Sequence, residues 1–139
     1  MTMIRLRIIL GFIAGGIFAA SSAAHSLLGW PQLNAALTKA QAPASLITTL
    51  AIGWHFAGVA MLTFGCIVFS LFLHLHQRRP VSLRPALIIG LAYVVYGAWA
   101  YVASGLNPFF FIFITPGLML LVAVWPPTEG STDSAPGRA

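Results

Sequence analysis

The chain has 139 residues, of which 59% are hydrophobic and only 6% charged, with a mean hydropathy of +0.92. A soluble domain of that size needs far more polar surface, so a lipid bilayer is the expected solvent. The net charge of +5 does not point to nucleic acid, because the basic residues sit at the ends of apolar segments and form no stripe with interleaved aromatics.

Crossing a bilayer core takes roughly 20 consecutive apolar residues as a helix. Four stretches of about that length are present: Ile8 to Leu28, Ser45 to Leu73, Pro85 to Ser104 and Pro108 to Trp125. They predict an all-α fold, a bundle of four transmembrane helices forming one domain over residues 1–126. The polar segment 127–139 has nothing to bury and is expected to be a disordered cytoplasmic tail.

The first stretch imitates a secretory signal, with Arg5 and Arg7 ahead of an apolar run and small residues from Ser21 to Ala24. Its apolar pattern continues through Leu27 and Leu28, so it is read as a retained span. In the connection that follows, Pro31 can open a helix, and Leu33, Ala36, Leu37 and Ala40 recur at helical spacing. This predicts a short amphipathic helix on the outer surface, between the first two spans.

Helices in lipid pack through small residues that let backbones approach. Gly11, Gly15 and Ala19 in the first span and Gly53, Ala57 and Gly58 in the second are the expected contact face. In the fourth span Pro116, followed by Gly117, withholds an N–H from the carbonyl of Ile112, which predicts a kink. Arg5, Arg7, Arg78, Arg79 and Arg84 flank the spans on one side and only Lys39 on the other, so both termini and the second connection are expected in the cytoplasm.

The acidic residues are Glu129 and Asp133, both in the tail, so no span offers a carboxylate for acid–base catalysis or proton relay. Cys66 is alone within an apolar run and reads as a small hydrophobe. His74 and His76, two apart, face different directions and read as interfacial groups at a helix end. The candidate binding residues are His25 and His55, which together could touch a b-type haem, a quinone or a transition metal. Counting along the spans staggers them in depth by about 5 to 10 Å at 1.5 Å per residue, which argues against a shared haem. No catalytic residue, metal site or resident cofactor is assigned.

The runs Ala24-His25-Ser26-Leu27-Leu28-Gly29-Trp30-Pro31 and Ile52-Gly53-Trp54-His55-Phe56-Ala57-Gly58 resemble those of small bacterial four-helix membrane proteins. Those proteins carry a His-Ser-x-x-Gly segment closing the first helix and a Trp-His segment in the second. The resemblance implies the four-helix fold and the bacterial cytoplasmic membrane, and no activity. The leading expectation is a non-enzymatic bundle surrounded by lipid, working as a homo-oligomer or beside a larger membrane complex. A small redox or ligand-binding protein using His25 and His55 is the second, and a self-associating transporter or channel the third.

Overall fold

The structure, a computed structural model, describes residues 3–125. The segment 127–139, expected to be a disordered tail, lies outside the described residues. Five α-helices follow in order: α1 (Met3–Ala24), α2 (Trp30–Lys39), α3 (Ala44–His76), α4 (Arg84–Ala103) and α5 (Phe111–Val124). A π-helical turn, His25–Gly29, joins α1 to α2, and a single 3₁₀ turn, Pro108–Phe110, leads into α5. Three helical rods are long and apolar enough to cross a membrane: Met3–Lys39, Ala44–His76 and Arg84–Ala103. Pro108–Val124 is apolar and shorter.

The connection after the first span differs from expectation. No break separates α1 from the amphipathic helix, and 37 residues run as one rod. Pro31 explains the join. It has no N–H to donate, and its ring would strike the carbonyl four residues back in a regular helix. Widening the preceding turn into π geometry relieves that clash, and the Trp30 N–H then reaches back to the His25 carbonyl. The Gly29 backbone stays helical, so the rod continues.

α3 returns antiparallel to this rod, and the two form a tight hairpin over α1. Small residues make the close approach. A Cβ on Gly65 would lie 2.9 Å from the Ala19 nitrogen and 3.0 Å from the Gly15 oxygen, both backbone atoms. Gly11 leaves room for the Phe72 ring, and Gly58 for the Ser26 hydroxyl. Gly53 is a correction to the expected face: it has open space where a Cβ would be. It lies five residues before Gly58, roughly 140° around the helix, and so looks away from α1. Ala57 sits at the rim of the contact, half-buried.

α4 and α5 form the second hairpin, closed by Gly90 against the Gly117 carbonyl and Gly97 against Ile114. α5 passes through Pro116 as one helix, with Pro116 and Gly117 both buried. The hairpins meet chiefly through α1 and α5, while α3 and α4 touch sparsely. Their common core is Ala14, Phe18, Val68, Phe72, Ala86, Ile89, Leu120 and Ala123. At that end the Arg7 Nε–H donates to the Ala123 carbonyl at 2.8 Å, and Phe12 lies 6.4 Å from His76. The five arginines therefore gather at one end of the molecule and Lys39 stands at the other.

At 1.5 Å per residue the first hairpin is about 50 to 55 Å long and the second about 25 to 30 Å. They are level at the arginine end, so α2 and the start of α3 overhang the second hairpin at the opposite end.

Gly65→Val should lower unfolding stability in detergent by about 1–3 kcal/mol, the usual cost of overpacking a rigid contact. Gly53→Ala, with open space around it, should be neutral or stabilising by up to about 1 kcal/mol. Denaturant titration followed by circular dichroism distinguishes the two.

Candidate functional site

Where the first hairpin leaves the core, His25 and Trp54 lie face to face, with ring centroids 4.2 Å apart and planes within 4°. Each ring also bonds the other residue's backbone. Trp54 Nε1–H donates to the His25 carbonyl at 2.8 Å, and His25 Nε2 lies 3.1 Å from the Trp54 carbonyl. A carbonyl can only accept, so that imidazole nitrogen carries the proton and, in the neutral ring, Nδ1 is left as an acceptor. The π turn makes the first of these bonds available. It presents the His25 carbonyl to Trp30 N–H and to the indole together.

Each helix leaves the space that the other's side chain fills. Gly29, four residues after His25, lies under the Trp54 ring, where a Cβ would come within 2.9 Å of Cζ2. Gly58, four residues after Trp54, lies under Ser26 and His25. Ser22 adds a buried hydrogen bond from its hydroxyl to the Gly58 carbonyl at 2.7 Å. The two sequence segments singled out above are thus the two halves of one clasp between α1 and α3.

His25 and His55 do not act as a pair. His25 stacks on Trp54, the neighbour of His55 in sequence, so the two imidazoles lie at similar depth and the expected stagger is absent. The reason is the overhang: the first ten residues of α3 run beside α2, above the level of α1. His55 points outward and packs on Trp30 at 5.7 Å between centroids. Among the described residues, no three His, Cys, Asp or Glu side chains come together.

Beside the clasp, between the hairpins, is a cavity of about 750 Å³. The first hairpin supplies Phe18, Ser21, Ala24, His25, Gln32, Trp54 and Met61 to its wall, and the second supplies Tyr93, Tyr96, Phe109, Phe110 and Phe113. Its floor is an aromatic group in which Tyr93 touches Phe18 at 4.3 Å, Phe64 at 6.3 Å and Phe113 at 6.1 Å. Ile112 also lines it, and Pro116 withholds the N–H that would pair the Ile112 carbonyl in a regular helix. His55 is not in this wall.

The cavity exists because sparse α3–α4 contact leaves the hairpins apart above Phe18. Its size falls within the range of small-molecule sites, which are mostly apolar with a few placed polar groups. Sequence reasoning reached His25 but missed Phe109, Phe110, Phe113 and Gln32, which are brought in by contacts between distant segments.

Trp54→Phe should keep the stack and lose the indole hydrogen bond, costing about 1 kcal/mol, whereas His55→Ala should change stability little. Gly29→Val should match or exceed the Trp54→Phe loss by displacing the ring. Unfolding titrations followed by far-ultraviolet circular dichroism, which reads helix content in every variant, check all three. Comparison with protein-family models, curated proteins and solved structures gives no match, so the reading of this site stands on its geometry.

Proposed function

We propose that the chain is a four-span protein of the bacterial cytoplasmic membrane that binds a lipid-soluble molecule in the cleft between its two hairpins. The arginine end faces the cytoplasm in this reading, as the distribution of Arg5, Arg7, Arg78, Arg79 and Arg84 requires. Pro108–Val124 serves as the fourth span. At about 25 Å it is slightly short for a hydrocarbon core, a mismatch that local thinning of the bilayer absorbs. The cleft then opens in the outer leaflet, with its mouth at the level of the headgroups.

The observation that carries the reading is the cavity of about 750 Å³, apolar and aromatic below, with His25, Ser21, Gln32 and Tyr96 on its wall. Such a lining suits a molecule with an apolar body and a hydrogen-bonding head, the form of a lipophilic quinone. Phe18 and Phe113 would meet the body. The free Nδ1 of His25 would accept a hydrogen bond from the head.

For the interaction bundle, which the sequence puts first on grounds of length, the structure offers exposed apolar side chains such as Phe56, Val95 and Trp99. Lipid covers those equally well, so they do not call for a protein partner. A haem or metal held by both histidines would need His55 in the cavity wall.

Protein purified from native membranes in mild detergent should carry a lipophilic molecule in near-stoichiometric amount, identified by mass spectrometry of an organic extract. Ala24→Phe, which fills the cavity from a wall position with an exposed side chain, should reduce it at least fivefold while leaving the helix content unchanged. Extracts of the two proteins that cannot be told apart would refute the proposal.

A further inference from the structure

A second hollow lies at the arginine end, on the outer side of the α1–α5 contact. It is a groove of about 360 Å³ walled by Leu6, Leu10, Leu118, Val122 and Trp125, and Arg7 is its charged member. On α1 its wall residues recur at three- and four-residue spacing, and those on α5 do the same, so the groove follows two antiparallel helix stripes.

Arg7 is fixed at this position. Its Nε–H donates to the Ala123 carbonyl at 2.8 Å, one of the terminal carbonyls that α5 cannot satisfy internally. That bond uses one of five guanidinium N–H groups and leaves both terminal nitrogens as a fork. Among residues 3–125 the sequence contains no Asp or Glu, so no described side chain can neutralise the fork. A half-buried cation beside an apolar groove, with Leu10 and Leu118 one turn deeper, suits an anion with a hydrocarbon tail.

We infer that this groove is a binding site for one anionic phospholipid of the cytoplasmic leaflet, with its phosphate on Arg7 and an acyl chain along Leu10 and Leu118. The site is separate from the cleft between the hairpins, and its occupancy does not depend on the molecule proposed there. Binding also places negative charge beside the C-terminal end of α5, where the guanidinium stands between the phosphate and the helix carbonyls.

Native mass spectrometry tests this on the full chain, after exchange with equimolar phosphatidylglycerol and phosphatidylcholine of matched acyl chains. The wild type should retain phosphatidylglycerol over phosphatidylcholine by about fivefold, the effect expected of one arginine at a charged headgroup surface. Arg7→Gln should bring the ratio near one, while Arg78→Gln, at the same end and outside the groove, leaves it unchanged. Val122→Phe keeps Arg7 and fills the groove, so the total lipid retained should fall. Undiminished preference in a folded Arg7→Gln protein would overturn the inference. If that variant does not fold, unchanged lipid retention in Val122→Phe would do so. A wild type that retains both lipids equally would overturn it as well.

Discussion

The close backbone approach of α1 and α3 is the contact on which the rest of the molecule depends. Apolar side chains gain little by leaving lipid for one another, so the free energy of association comes from dispersion and from the few hydrogen bonds made between helices. Both require short distances. Gly15, Gly58 and Gly65 provide them, and each would place a Cβ against a neighbouring residue if it had one. The hydrogen bonds between α1 and α3 then fall at one end of this contact, at Ser22, His25 and Trp54. Dispersion along the glycine face and polar bonds at its end fix the register of the hairpin, and hence which side chains line the cleft.

The second hairpin is joined to the first on one side only. α5 lies along α1, and the shared core from Ala14 to Ala123 closes the arginine end. Above Phe18 there is no equivalent filling between α3 and α4. The aromatic residues of the 3₁₀ turn and of α5 face the clasp across the resulting space. One end of the bundle is thus packed like a core, and the other is built like a binding site from the same four rods.

Much of this arrangement could be read from the residues. Hydropathy located the last three apolar rods to within a few positions but ended the first at Leu28, eleven residues short of Lys39; the four-residue spacing of Gly11, Gly15 and Ala19 identified the face of α1 that meets α3. The π turn could not be read in this way. Pro31 announced a helix start, but whether a proline opens a new helix or widens an old one depends on whether the next turn has a surface to pack on. Here α3 supplies that surface. Gly53 misled because glycine in a span has the same composition signal on either face. His25 and His55 drew attention as intramembrane ionisable groups, yet the partner of each is a tryptophan, and an indole bonding to a carbonyl leaves no mark in spacing. The cavity was hidden for a related reason, since six of its sixteen wall residues, Tyr93 to Phe113, come from the second hairpin, far along the chain from the rest.

α2, the outer limb of the overhang, comes near no part of α4 or α5. Beyond Leu33 it adds nothing to the cleft wall on the α2 side. Its length is therefore free of the constraints that bind every other helix. Matched turns added to or removed from both limbs would leave the clasp, the core and the level of the arginines as they are. Related chains can differ in size there at little cost, so the overhang is where this architecture is able to diversify.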